Sequence, residues 1–573
     1  MKALGDRLTL LRALRTASPP VAGSLAAVLV AAACVPGAMA IVLGWAVSRV
    51  QGAADPAGAA FVPVLALGGV VLAGHAADAL AKPLEFAARA QIDGGHRRDI
   101  LLLTTGADGI APLEDPEVQA LIRRTGAEPD YGVTSPADGA LVQLRWFAGL
   151  IGVAAACAVL AHYRWWLVPV LLVPAILGLA LRTRQYFAAV AKLQGAMREE
   201  LHADVWREAA AGKDVRVFGF ADWMVARMQR HIEDGNRPFW AHIGRVSRQS
   251  WLQFGLALAG LLPAYVLVTR AAAGGATTVA VQTAVLVAAW TVFLAIGTGG
   301  MVYQMVGAVE VLDAYGELKA RLARPAGPPA KKGKLVRFEN VGFRYPGTER
   351  MVIDGLDLEI RPGELLAIVG LNGAGKSTLI KLLAGLYPPT SGRVTSGDTR
   401  LSVVFQDFIR YELSAIDNVT LGYAHEPPDL AAADVAAARA GFGPVLERLP
   451  RGWQTPLSRN RPGGVDLSGG QWQQLVLTRA LYAVQKGARL LVLDEPTAHL
   501  DVRTEFEVFR RLAGQRGDTG VVLISHRLST VRQADRIVLL EGGSITESGT
   551  HDELMDLDGA YAKLFRTQAE RFQ

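Results

Sequence analysis

Eight consecutive residues, Gly370-Leu371-Asn372-Gly373-Ala374-Gly375-Lys376-Ser377, fit the pattern GxxxxGK[ST]. In such a loop the glycines let successive backbone N–H groups face one polyphosphate, and a helix N-terminus behind them adds partial positive charge. Lys376 can reach the outer phosphates, the Ser377 hydroxyl can hold Mg²⁺, and Thr378 carries on into the helix. Further along, Leu490-Leu491-Val492-Leu493 runs into Asp494-Glu495. A carboxylate at the end of a buried strand can hold Mg²⁺ through water, here Asp494. The second acid, Glu495, can take a proton from an attacking water. The octet alone says that a nucleotide binds; the two acids in the same half of the chain add hydrolysis.

Three further segments carry weaker signals. Leu467-Ser468-Gly469-Gly470-Gln471 precedes a helical stretch. Its glycines would let backbone approach a phosphate, and an ordinary Gly-rich turn before a helix fits equally well. Tyr345 ends an alternating run and reads either as a platform for a base or as a packed strand residue. His526 follows an apolar strand, a place where histidine is usually a core or surface residue.

These residues need positioning elements. Leu365–Val369 reads as a buried strand leading into the octet, and Thr378–Leu386 as the helix behind it. Leu335–Tyr345 alternates as a strand does. An α/β domain over 335–573 follows, preceded by a Pro/Gly/Lys-rich linker over 324–334.

The first half has a different composition. Of the 573 residues, 51% are hydrophobic and 20% charged, too apolar for an ordinary soluble enzyme of this length. The excess lies before about residue 310. Six spans emerge: Val21–Ser48, Gly58–Ala81, Trp146–His162, Trp165–Leu181, Trp251–Val268 and Thr277–Val309. They predict an all-α membrane domain over 1–323. Basic residues crowd before the first span and in the long segments 82–140 and 182–250, while the alternate short loops carry a single arginine each. The positive-inside rule places both termini and both long loops in the cytoplasm, beside ATP. Leu4, Leu8 and Leu11 share a helical face flanked by Arg7 and Arg12, as in a helix lying on the membrane surface.

The net charge of +6 follows from those loops beside an anionic bilayer rather than from a nucleic-acid surface, since no aromatic-interleaved basic patch occurs. Cys34 and Cys157 both fall inside spans and offer neither a disulfide framework nor a metal cluster. His75 and Asp78 share a face of the second span, either as a buried ionisable pair or as solvated groups. Gln282, Tyr303 and Gln304 could line a cavity or hydrogen-bond between helices.

With the cassette motifs in this order, the chain resembles an ATP-binding cassette (ABC) transporter of the half-size exporter type, and the match runs over nearly its whole length. The resemblance implies that Ser468, Gly469, Gly470 and Gln471 close over ATP held by an opposite cassette. It implies that Tyr345 stacks on adenine, that Gln406 contacts Mg²⁺ and the coupling region, that Glu495 is the catalytic base and that His526 meets the γ-phosphate. Ala498-His499-Leu500-Asp501 matches the loop linking the two sites, with histidine where a small residue is usual. The segments Gly109–Ile122 and Lys213–Phe220 resemble coupling helices by position. The stretch Arg459–Asp466 lacks the glutamate many exporters carry there. Phe405-Gln406-Asp407-Phe408 and the residues around Trp472 resemble the branch exporting modified peptides and natural products.

The expectation is therefore a multi-pass protein of the cytoplasmic membrane: six transmembrane helices followed by an α/β P-loop ATPase cassette. It would use ATP and Mg²⁺, with a second copy or a related half-transporter as partner. Membrane lipid would surround it, a solute would be its cargo, and nucleic acid would not be a partner. An importer built on the exporter fold and an ATP-gated channel or regulator are the alternatives. No peptidase-like stretch precedes the first span, so leader cleavage is not expected.

Overall fold

The computed structural model describes residues 2–51, 53–107, 109–126, 134–185, 213–296, 301–322, 336–395, 400–496, 510, 517–525 and 528–569. They gather into two compact units. One joins Met1–Gly106 to Asp115–Ala323; the other joins Ala107–Glu114 to Arg324–Gln573.

Helices α1 (Lys2–Ala13), α2 (Pro19–Val50) and α3 (Pro56–Thr105) open the chain. The short α4 (Ala111–Glu114) belongs to the second unit. The first unit continues with α5 (Pro116–Thr125), α6 (Pro136–Tyr163), α7 (Leu167–Gln185), α8 (Lys213–Phe218), α9 (Ala221–Ala273), α10 (Val279–Ile296) and α11 (Met301–Leu322). Among the described residues, α2, α3, α6, α7 and the Ser250–Ala273 part of α9 are long and apolar enough to cross a bilayer, and Val279–Phe293 is a shorter apolar helix.

Starts are written in the sequence. Asp55 accepts from the N–H groups of Ala57 and Gly58 ahead of α3, with Pro56 at the first helical position. Ser135 and Asp138 form a reciprocal capping box at α6. Small residues bring these helices together: a side chain at Gly152 of α6 would stand 2.6 Å from the Ala33 carbonyl oxygen of α2.

The described residues of the long cytoplasmic segments are largely helical, because α3 runs 50 residues and α9 runs 53, far past the apolar spans. Hydropathy sees only the lipid-facing part. The polar continuation of α3 is held by ion pairs to α6, Glu85 with Arg145 at 2.6 Å and Arg89 with Asp138 at 2.5 Å. From Val279 on, the described residues of the sixth span, expected over 277–309, are helical and lie in α10 and α11, with 297–300 outside the described residues. His75 and Asp78 are exposed on α3. The Gln282 side chain donates to Thr269 at 3.1 Å, linking α10 to α9 as a hydrogen-bond partner, and the Gln304 backbone carbonyl accepts from the Thr134 hydroxyl at 3.2 Å. The side chain of Tyr303 lies outside the described residues.

The second unit carries β1 (Val336–Phe343), β2 (Ile353–Ile360), β3 (Leu365–Val369), α12 (Lys376–Leu383), β4 (Ser391–Thr395) and β5 (Leu401–Val404). Then come α13 (Ala415–Thr420), α14 (Leu430–Ala440), α15 (Gly443–Leu446) and α16 (Gly469–Gln485). The chain continues through β6 (Leu490–Asp494), β7 (Gly520–Ile524), α17 (Leu528–Val531), β8 (Arg536–Glu541), β9 (Ser544–Gly549), α18 (His551–Asp556) and α19 (Ala560–Ala569). Six strands form one sheet in the order β5-β6-β7-β3-β8-β9, parallel except for β9, and β2-β1-β4 form an antiparallel sheet. All residues of β3, β6 and β7 are buried. Alternate β3 side chains face different cores: Leu365, Ala367 and Val369 join α13, α14 and α16, whereas Leu366 and Ile368 join α12 and the antiparallel sheet. Burial on both faces is why these strands read as unbroken apolar runs.

Candidate nucleotide site

The phosphate-loop octet leaves the C-terminal end of β3 and enters α12 at Lys376. Gly375 has φ +103°, and a side chain there would stand 2.8 Å from the Ile353 side chain, so the loop can close onto the helix start only with glycine. The Lys376 Nζ donates to the carbonyl oxygens of Gly370 at 2.8 Å and Leu371 at 3.0 Å, which folds the ammonium back across the loop.

The parallel register sets the acids beside it. Ile368 of β3 and Asp494 of β6 both stand opposite Ile524 of the intervening β7. The octet and the acids therefore leave the same carboxyl edge of the sheet, about 10 Å apart across two strand spacings. Gln406 follows β5, the next strand, and its Nε2 donates to Glu495 Oε2 at 3.1 Å. Glu495 holds φ +45°, unusual for a side-chain-bearing residue, with its N–H bonded to the Ile524 carbonyl at 3.0 Å. That turn swings the second acid off the strand line and toward the cleft.

Gly370–Gly373, Gly375–Thr378, Gln406, Asp494 and Glu495 border a cleft of about 940 Å³, completed by Val352 and Leu564. Asp494 is 5% exposed. Burial, then the neighbouring Glu495 charge, push its carboxyl up to about 6, against the opposing pull of the Ser377 hydroxyl and Lys376. Burial lowers the Lys376 ammonium from its usual range, offset by the charges of Glu495 and Asp494. The Ser377 hydroxyl, Asp494 carboxylate and Gln406 amide form a hard oxygen donor set, which fits a Mg²⁺ ion that keeps phosphate and water among its ligands.

Tyr345 is not among the residues bordering the cleft, but its hydroxyl shares a hydrogen bond of 3.0 Å with Thr378, which is. The Tyr345 ring packs edge-to-face with Phe343 and Tyr387, at 5.0 and 5.4 Å between centroids. None of Ser468, Gly469, Gly470 and Gln471 lines the cleft. They form the start of α16, where Ser468 Oγ accepts from the Gln471 N–H and Gln471 Oε1 accepts from the Ser468 N–H at 2.9 Å. Trp472 donates to Asp466 at 3.2 Å, closing a bridge across the residues between them.

His526, the loop Ala498–Asp501 and the linker over 324–334 lie outside the described residues. The expected segment Gly109–Ile122 resolves into α4 and α5. Ile110 donates to the Leu386 carbonyl at 2.9 Å and packs with Ala111 against the core that holds β1, β2 and α12. α5 instead packs Val118 and Leu121 against Ala314 and Leu318 of α11. The other expected segment contains α8. Sequence reasoning missed Val352 and Leu564 at the cleft, the Thr378–Tyr345 bond and the seating on Leu386. Only the three aromatic residues Phe343, Tyr345 and Tyr387 left a trace that could have been followed.

Residues 353–498 match the family model described as ABC transporter. The chain is 42% identical over 253 residues to an ATP-dependent lipid A-core flippase of Chromohalobacter salexigens, a stretch covering 42% of each protein. It is 40% identical over 247 residues to a protein of the same name from Ralstonia nicotianae, covering 41% of this chain and 40% of that one. The matched stretch thus spans about two fifths of these relatives, whose name is that of a lipid flippase and not of a peptide exporter. A solved structure of a bacterial Atm1-family ABC exporter with ATP bound superposes with a TM-score of 0.77 at 21% identity, over 96% of this chain and 99% of the other.

Proposed function

We propose, for a chain whose cassette is an ATP-binding ABC transporter domain and whose fold is that of a half-size ABC exporter, that it drives a solute across the cytoplasmic membrane as one half of a dimer. The observation that carries this reading is the convergence of Lys376, Ser377, Gln406, Asp494 and Glu495 on one cleft at the carboxyl edge of the sheet.

The octet would bind the ATP phosphates through its N–H groups, with Gly370, Asn372, Gly373, Ala374 and Gly375 shaping the cradle and Thr378 continuing it. Lys376, released from the Gly370 and Leu371 carbonyls, would carry the outer phosphates. Ser377, Asp494 and Gln406 would hold Mg²⁺, which when bound neutralises charge on the phosphate oxygens. Glu495 would take the proton of the attacking water, with Gln406 fixing the orientation of its carboxylate. Tyr345 would stack on the base. The start of α16, fixed by its own capping box with Ser468 exposed, would meet the γ-phosphate bound to a second chain, and His526 would join it. Because every element of both composite sites occurs in this sequence, a second copy is a sufficient partner.

The cargo is sought first among lipids, the class named for the relatives. Purified chain in lipid discs should hydrolyse ATP, and lipid-linked candidates should raise the rate. Glu495→Gln should lower steady-state hydrolysis at least about a hundredfold while ATP still binds. Unchanged turnover in Glu495→Gln would remove Glu495 as the base.

A further inference from the structure

The eight-residue α12 is held at both ends. Its first residues border the cleft, and three residues beyond its end Leu386 accepts from Ile110 of the seated segment Ala107–Glu114. Gly109 has φ +77°, and a side chain there would stand 2.5 Å from the Leu386 oxygen, so this approach is open to glycine alone.

Lys381, in the last turn of α12, stands between these ends. Its ammonium lies 5.5 Å from the Tyr345 ring centroid and 5.7 Å from that of Tyr387. It also stands 4.0 Å from the Glu114 carboxylate, with the two side chains 31% and 51% exposed. Tyr345 in turn bonds to Thr378 at 3.0 Å. Direct contacts thus run from Glu114 through Lys381 and Tyr345 to the phosphate-loop helix. Glu114 is followed in the chain by α5, which packs on α11 of the membrane unit.

We infer that Lys381 is a positioning residue that ties ATP affinity at the cleft to the seating of the segment 107–114. An exposed ion pair stabilises little by itself. Here Glu114 serves to keep the ammonium over the tyrosine rings, and the ammonium holds the Tyr345 ring in its place beside Thr378. Releasing the segment loosens the platform, and bound ATP reciprocally favours the seated segment. The inference rests on reading the cleft as an ATP site with Tyr345 as base platform.

The test is ATP hydrolysis by the full chain in lipid discs, with KM and kcat separated. Lys381→Met should raise the ATP KM about two- to fivefold, the range of an exposed cation–π contact, with kcat within about twofold. Lys381→Arg, which keeps a cation over the rings, should restore the KM. Glu114→Gln should raise the KM in the wild-type background and add nothing to Lys381→Met. An unchanged KM in Lys381→Met, no rescue by Lys381→Arg, or independent additive effects of the two changes would overturn the relay. Lys376→Ala separates the two levels of the argument. If that variant hydrolyses ATP with wild-type KM, the reading of the cleft fails. If it loses ATP while Lys381→Met keeps its KM, only the relay fails.

Discussion

Asp494 is the buried charge whose energetic cost can be worked out and measured. Its folded carboxyl titrates near 6, against 3.8 for the free side chain. The folded state therefore binds the proton more tightly than the unfolded chain. The ionised form is a penalty on folding, fully present above about pH 6 and relieved as pH falls through that value. A shift of about two units corresponds to about 3 kcal/mol at pH 7.5, shrinking to about half of that at pH 5 and to less than about 1 kcal/mol at pH 4. Asp494→Asn keeps the shape and one acceptor for Ser377 but cannot ionise. In metal-free, nucleotide-free buffer its cassette should melt higher than wild type at pH 7.5. At about 2–4 °C per kcal/mol for a domain of this size, the gain is about 6–12 °C. The difference should fall by about half at pH 5. The assay is the thermal midpoint of both proteins at matched pH, so that other titrating groups cancel. Equal midpoints at pH 7.5, or a gain that stays constant on acidification, would show that burial does not strain this carboxylate.

Two further outcomes follow from local geometry. Gly109→Val places a side chain against the Leu386 carbonyl and forces φ +77° on a β-branched residue; solute-stimulated ATPase should fall while the basal rate persists, measured in lipid discs. Ser468→Ala removes one half of the α16 capping box, at a cost of about 1 kcal/mol in stability, and should lower kcat for ATP hydrolysis more than it raises the ATP KM. Equal effects on both constants would count against a role at the second chain's phosphate.

The phosphate loop was legible because its chemistry is made by backbone and by glycine, so residue type and spacing nearly determine it. The two acids were legible for a related reason: β6 is buried on both faces, and Asp494 is a charge where an apolar run should go on. Tyr345 was ambiguous, since its meaning depends on Thr378 and Tyr387, partners that only the fold brings near. The seated segment was legible by position and not by contact. Ile110 meets Leu386 across more than two hundred residues of sequence, and no periodicity encodes such a pairing. Hydropathy marks only the apolar part of a helix, whereas the helix itself runs on to a cap such as Gly106, so full helix length was not legible from apolar spans.

The lengths of α3 and α9 have a mechanical consequence. At 1.5 Å per residue, the 50 residues of α3 make a rod about 75 Å long, more than twice the ~30 Å apolar core of a bilayer. A tilt of about 5° displaces its far end by about 6 Å, roughly one helical pitch. Small changes of packing angle among apolar helices are thereby enlarged into a step of about one turn at the far end of α3. The same gearing runs backwards: a shift of one turn at the tip demands only a few degrees within the bilayer.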